Sequence, residues 1–316
     1  MVRLAALALA LFSLAAQAQF PSRPIKLLVP NPPGGATDTL ARVIAPPLGE
    51  ALGEPVVVEN RPGSNGNLAM DLTAKAPPDG YTLILAADAQ IVIGPHLYRD
   101  LRLDTLKDLA PVASLVNTQM VLAVNPSLPV KTLPEFIEYA RRANPPLAYG
   151  SIGNGSQHHL VMEMLKARAG IDLLHVPFKG GGPATTALIA GEIAAAFGGN
   201  SVTGHVHAGR LRALAVAGKQ RSAAFPDVPR LAEFYPGFEV TPWLGLFAPA
   251  GVPAAAMAKL RETTHRVLID PASAERIRRV GGLELYISTP EEFAALVRAE
   301  YARYGEIVKA VGVKID

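Results

Sequence analysis

Four times along this chain a short apolar run ends in a glycine-rich loop that opens a helix, at residues 30–38, 150–156, 179–183 and 198–201. No other feature constrains the fold as tightly. Short apolar runs alternating with amphipathic stretches predict an α/β architecture with mostly parallel strands. In open sheets of that kind, the loops at the carboxyl ends of the strands gather on one side, and ligands bind there.

The remaining pattern fills in around those loops. Ile25 to Val29 reads as the first strand, and a helix begins near Thr37 or Asp38, with Leu40, Val43, Ile44 and Leu48 at helical spacing. Pro46-Pro47 lies inside that helix and is expected to kink or break it. Strands follow at Val56 to Val58 and Thr82 to Ala86, separated by the turn Gly63 to Gly66 and a short helix. Further strands are expected near 111–115, 120–124, 147–149, 173–178, 193–197, 211–217 and 243–247, with three amphipathic helices closing the chain. Thr132 is a candidate cap for a helix running to about Ala143. The chain is 316 residues long, enough for two domains. The expected division is a first lobe of residues 19–120 and 239–316, interrupted by a second lobe of 121–238.

The N-terminus sets the compartment. Arg3 precedes an apolar run from Leu4 to Ala16, and Ala16-Gln17-Ala18 is a small-residue cleavage site. Residues 1–18 are therefore expected to be a signal peptide that is removed, placing the mature protein in the periplasm. The run is too short for a membrane span, and no later stretch is long enough. There is no cysteine, which excludes disulfides, thiolate chemistry and a lipid-attachment cysteine. Thirty basic residues against twenty-seven acidic ones give a formal charge of +3 without a basic stripe, so nucleic acid is not an expected partner.

The chemistry the loops can perform follows from their backbone. A helix N-terminus presents unpaired N–H groups and a partial positive charge, and glycine lets a ligand approach closely. Each terminus favours an anion by about 0.3–1 kcal/mol when exposed, and up to about 2 when partly buried. Loops 30–38 and 150–156 contain neither lysine nor arginine. A carboxylate held between them would be gripped by amides alone. The candidate ligand-binding residues are Gly34, Gly35, Ala36, Thr37 and Asp38 in the first loop, and Ser151, Gly153, Asn154, Gly155 and Ser156 in the second. Asp88, Gln90, His159, Phe178 and Asn200 complete the set from neighbouring strand ends.

The order of motifs resembles the periplasmic substrate-binding proteins of tripartite tricarboxylate transporters, the Bug or TctC family. The resemblance is carried by Pro33-Gly34-Gly35-Ala36-Thr37-Asp38, Val58-Glu59-Asn60-Arg61-Pro62-Gly63 and Pro78-Asp79-Gly80-Tyr81-Thr82-Leu83. Tyr149 to Ser156 with His159-Leu160, then His175-Val176-Pro177-Phe178-Lys179-Gly180, continue it, and it ends with Trp243 to Pro249. The resemblance implies a two-lobe "Venus flytrap" and a small carboxylate ligand: a dicarboxylate, a tricarboxylate, an amino acid or an aromatic acid. It also implies membrane transporter subunits as partners, a monomer, no cofactor and no catalysis. The family's ligand-gripping loops map onto Gly34–Asp38 and Ser151–Ser156, with ordered water assisting. Three departures limit the transfer of ligand identity. Asn31 stands where relatives often have an aromatic residue, Ala86 to Gln90 replaces a run of hydroxyl residues, and Gly198-Gly199-Asn200 replaces a segment that often carries an aspartate.

Individual residues carry competing readings. Asp38 serves best as a helix cap whose loop does the binding. Asp88 is either an aspartate in a turn or the partner of a ligand ammonium. His159 and Glu163 share a helical face, but the second histidine of a zinc motif is missing, so no metal is expected. Two alternative functions stay open: a sensor presenting its ligand to a membrane kinase, and a secreted hydrolase using Ser156 and His159.

Overall fold

The computed structural model describes residues 20–98, 101–280 and 282–312, with Asn200 described by its backbone alone. The expected signal peptide lies outside the described residues. Among the described residues the strands form two sheets. One contains β1 (Ile25–Val29), β2 (Val56–Asn60), β3 (Thr82–Ala87), β4 (Leu109–Thr118), β10 (Trp243–Pro249) and β11 (Leu283–Leu285), in the order β11-β4-β10-β3-β1-β2. The other contains β5 (Val121–Val124), β6 (Ala148–Ser151), β7 (Leu174–Pro177), β8 (Ala195–Gly198) and β9 (Arg212–Val216), in the order β7-β6-β8-β5-β9. The chain passes from the first sheet to the second between β4 and β5, and returns between β9 and β10.

Parallel pairing holds where helices cross over, in β2-β1-β3 and β7-β6-β8. The other adjacencies are antiparallel, so both sheets are mixed. Strands β5 and β10 each enter their sheet directly from the other one, without a crossover helix to turn them parallel. Apolar runs arise because both sheet faces are covered. Ile25, Leu27 and Val29 point into one core and Leu28 into the core on the opposite face. Leu122 with Val124, and Val121 with Ala123, divide the second sheet in the same way. Each fully buried Ile, Leu or Val side chain contributes about 1.5–3 kcal/mol.

The helices are α1 (Ala36–Leu52), α2 (Asn67–Ala74), α3 (Gly94–Leu97), α4 (Leu133–Arg142), α5 (Gln157–Ala169), α6 (Gly181–Ala190) and α7 (Asn200–His207). Toward the C-terminus come α8 (Ala254–Ile269), α9 (Pro271–Arg279) and α10 (Pro290–Val311). The expected break at Pro46-Pro47 does not occur, because α1 continues to Leu52. Leu40 and Ile44 before the prolines, and Leu48 and Leu52 after them, pack into the same core. The carbonyls that lose a donor lie beside exposed Arg42 and Pro46, where water reaches them. The short strand β11 and the wide helical turn Ala89–Ile93 were not expected from the pattern.

Two contacts join the units built on the two sheets. Leu160 of α5 is buried in the core that holds Phe247, Phe293 and Tyr304 of the first unit. Beside it, Gln157 Nε2 donates to Asp88 Oδ2 and, at 3.1 Å, to the hydroxyl of Tyr304. The loop after β6 therefore adjoins the end of β3.

Candidate functional site

Most helices that start at the carboxyl ends of the parallel strands start on glycine. At the carboxyl ends of the parallel strands, α1, α2, α6 and α7 begin on Gly35, Gly66, Gly180 and Gly199, and none has a side-chain cap. Helices α4, α9 and α10 start at other places and are capped by Thr132, Asp270 and Thr289, whereas α3 and α8 start on Ile93 and Pro253 without a side-chain cap. Helix α5 is the exception on the glycine side, since Ser156 caps it. Side-chain caps satisfy orphan amides, so omitting them leaves donors for something else. No described residue accepts from the amides of Ala36 and Thr37.

The first loop is braced by charge. Gly34 adopts φ +89° and donates its N–H to Asp38 Oδ2 at 2.9 Å. Asp38 does not cap α1. It sits in the first turn, 3% exposed, and reaches back to the loop. Asn60 Nδ2 donates to Asp38 Oδ1 at 2.8 Å and to the Asn31 carbonyl at 3.0 Å. Arg42 Nε lies 3.1 Å from both carboxylate oxygens, and its Nη2 donates to Asn60 Oδ1 at 2.9 Å. Burial works to raise the Asp38 carboxyl, but donors from Arg42, Gly34 and Asn60 outweigh it and hold it below the ordinary range.

The second loop is braced without charge. Ser151 Oγ donates to the Gly153 carbonyl at 3.0 Å and lies 2.7 Å from His175 Nε2. Ser156 Oγ donates to the same carbonyl at 2.7 Å and accepts from the His159 amide. The Gly155 amide donates to His159 Nδ1 at 3.1 Å. Asn154 is exposed, and the Phe178 amide donates to the Ser151 carbonyl at 2.9 Å. Asn200 is the first residue of α7. The hydrolase pairing is absent, since His159 Nδ1 and Ser156 Oγ each serve the loop backbone and not one another.

Asp88 is 1% exposed, with Ala89 N–H on Oδ1 and Gln157 on Oδ2. Burial and the nearby Glu300 push its carboxyl well above the ordinary value. Gln90 is also occupied: Oε1 accepts from Ala87 N–H at 2.9 Å, and Nε2 donates to the Asn65 carbonyl at 3.2 Å. The polar side chains Asp38, Asp88, Gln90, Ser151, Ser156 and His159 are thus all buried and bonded to the protein. In the first loop the Ala36 and Thr37 amides stay open, whereas in the second the Gly153, Gly155 and Ser156 amides are taken by Ser151, His159 and the Gly153 carbonyl.

Three contributors escaped the sequence reading. Asn60 and Arg42 hold Asp38, and His175 holds Ser151 from the adjacent strand. The turn after β2 is a further strand-to-helix glycine loop, in which Ser64 and Asn65 take φ 47° and 55°. Gly66 closes it, where a Cβ would lie 2.7 Å from Pro30 and 3.0 Å from Gln90. Left-handed backbone at non-glycine residues is uncommon and needs such support. The sequence reading placed this turn at Gly63 to Gly66 but assigned it no part in the site.

The chain matches the TctC family, described as "Tripartite tricarboxylate transporter family receptor", over residues 40–313. Protein BugT of Bordetella pertussis is 36% identical over 299 residues, 94% of this chain and 91% of that protein. Among solved structures, R. palustris Rpa4515 with adipate is 33% identical, with TM-score 0.86, covering 93% of this chain and 99% of the other. MatC from Rhodopseudomonas palustris with bound malate is 33% identical, with TM-score 0.81, covering 92% of this chain and all of the other.

Proposed function

Because the chain belongs to the TctC family of tripartite tricarboxylate transporter receptors, we propose that it captures one small carboxylate in the periplasm and delivers it to a membrane transporter. The ligand lies between a lobe of residues 19–120 with 239–316 and a lobe of 121–238. The observation that carries this reading is the set of glycine-started, uncapped helices at one end of both sheets. Charge-assisted hydrogen bonds at about 1.5–3 kcal/mol each reach the roughly 8 kcal/mol of micromolar binding once closure costs are met. The adipate and malate held by the two similar structures are the kind of ligand such a cradle takes.

Loops Gly34–Asp38 and Ser151–Ser156 supply the amides, and the buried polar side chains supply rigidity. Asp88 acts in the contact between lobes, not as a ligand group. No reaction is proposed: Ser151 is 1% exposed beside His175, and no described carboxylate hydrogen-bonds that imidazole.

Thermal unfolding with a panel of mono-, di- and tricarboxylates, amino acids and aromatic acids tests the reading. Ligand at a hundred times its dissociation constant adds about 2.7 kcal/mol. Stabilisation by at least one carboxylate, without turnover, is the expected result. Silence across the panel, or product formation from esters or amides, would overturn it. Co-purification with transporter membrane subunits, and not with a sensor kinase, separates delivery from sensing.

A further inference from the structure

The second loop rests on a column of aromatic rings. His159 and His175 stack face to face, with centroids 3.9 Å apart and planes 7° from parallel. Tyr149 of β6 stacks on His175 at 4.9 Å. Each imidazole then holds one end of the loop: His175 Nε2 meets Ser151 Oγ, and His159 Nδ1 accepts the Gly155 amide. The loop between them contains Gly153 at φ +129° and Gly155 at φ +69°. With two such glycines and no cation, its shape depends on these bonds.

The amide hydrogen bond fixes the protonation of His159. A nitrogen that accepts an amide N–H has a free lone pair, so His159 is neutral with its proton on Nε2. His175 Nε2 lies 2.7 Å from Ser151 Oγ, whose hydroxyl also reaches the Gly153 carbonyl at 3.0 Å. A proton on His159 Nδ1 would face the Gly155 N–H, donor against donor, and a second would set two imidazolium rings face to face.

We propose that His159 and His175 are positioning residues for ligand capture, which as stacked, unprotonated rings hold the Ser151–Ser156 loop in its gripping shape and let it go when protonated. The effect on ligand rests on the carboxylate reading above; the effect on the loop does not.

The charged and titratable groups facing the pair are Tyr149 from β6 and, from α5, Glu163 and Lys166. Glu163 is occupied, since Tyr149 OH donates to it at 2.6 Å and Lys166 Nζ pairs with it at 2.9 Å. Burial lowers His159, with Glu163 opposing and Lys166 adding to the effect. Burial and His159 bring His175 down to about 4, with Glu163 opposing and Lys166 adding again. Both depressed values mean that the brace is whole above the ordinary 6.5 and is lost as pH falls toward about 4.

The test uses the mature chain with His159→Leu, His159→Asn and the double variant His159→Asn/His175→Gln. Asparagine places Oδ1 where Nδ1 stood, keeping an acceptor that cannot be protonated; glutamine keeps a donor in place of Nε2. With the tightest carboxylate of the panel at pH 7.5, His159→Leu is expected to weaken binding at least tenfold, and His159→Asn to recover most of that loss. Between pH 7.5 and 4.5 the wild type should lose about tenfold more affinity than the double variant. Protonation of the ligand itself affects both proteins equally. Equal binding by His159→Leu and wild type, or parallel pH profiles for wild type and double variant, would overturn the proposal.

Nitrogen NMR of the ligand-free wild type supplies a readout independent of any carboxylate, and of whether His159→Leu folds. An unprotonated Nδ1 on His159 at pH 7.5 is expected, with the Gly155 amide better protected, after correction for intrinsic rates, than in His159→Leu or in the wild type at pH 4.5. A protonated Nδ1 at pH 7.5 would sink the proposal. A panel in which nothing binds would sink the carboxylate reading and leave this arm to decide.

Discussion

Loops Gly34–Asp38 and Ser151–Ser156 stand at equivalent places, after β1 and after β6, yet they are braced by opposite chemistry. The first is tied by an ionised carboxylate to an arginine, an asparagine and its own Gly34 amide. The second is tied by hydroxyls and two neutral imidazoles. An anion-binding loop needs its donors fixed before the ligand arrives, since ordering them afterwards costs affinity. An aspartate can do this at the first loop because Arg42 offsets its charge. A buried uncharged brace at the second avoids adding a negative charge to a loop proposed to hold an acid.

Removing the ionic brace should give the largest effect. Asp38→Ala leaves the Gly34 amide, Asn60 and Arg42 without their acceptor in a buried setting. A stability loss of about 2–4 kcal/mol is expected in denaturant unfolding, and ligand affinity should fall at least tenfold. An affinity unchanged by this substitution would show that the first loop is shaped by its glycines alone.

The joint between the loops should respond in the opposite direction. Asp88 is a buried carboxyl beside Glu300, whose own carboxyl is raised by burial against the Trp243 N–H at 2.6 Å and Arg303. With a raised folded value, the stability Asp88 contributes is full below the ordinary 3.8 and is lost as pH rises through the folded value. Asp88→Asn, with the Gln157 amide turned over to match, should therefore stabilise the protein by about 1–3 kcal/mol at pH 8. The gain should vanish near pH 4. Thermal unfolding at the two pH values checks this, and a loss at pH 8 would mean that the charge itself joins the lobes.

Acid should separate the two loops. Asp38 has a lowered value, so its bonds persist above the ordinary 3.8 and fail only as pH falls through the lower folded value. The histidine brace fails earlier, between 6.5 and about 4. At pH 4.5 the Gly34 amide should keep its exchange protection relative to pH 7, after correction for intrinsic rates, while Gly155 loses roughly tenfold. Equal behaviour of the two amides would erase the contrast between the braces.

The sequence disclosed the alternation of strands and helices because each buried strand is an unbroken apolar run and each loop is marked by glycine. It also marked Gly34–Asp38 and Ser151–Ser156 as strand-to-helix loops, since each carries glycines directly after an apolar run. It could not disclose what braces them. Asn60 meets Asp38 only because β2 lies beside β1, and His175 meets Ser151 only because β7 lies beside β6; both depend on strand register. Asp88 looked available to a ligand because nothing local to it announces Gln157, sixty-nine positions away. The helix runs unbroken through Pro46-Pro47 for a similar reason, since the core that holds both halves of α1 is tertiary.

The smallest effect probes the open helix start of the first loop. Gly35 has φ −75° and ψ 167°, the extended geometry of an N-cap, and a Cβ there would meet nothing nearer than the Pro32 carbonyl at 3.8 Å. Serine fits that position without strain, and its hydroxyl would accept from the Thr37 or Asp38 amide. Gly35→Ser should raise stability by a few tenths of a kcal/mol, the ordinary difference between these two caps. Its cost appears in binding, where an amide now satisfied within the protein is withdrawn from the carboxylate, and affinity should fall about three- to tenfold by calorimetry. The two readouts must move in opposite directions. A serine that stabilised the helix and left binding untouched would mean that the ligand never relied on those amides.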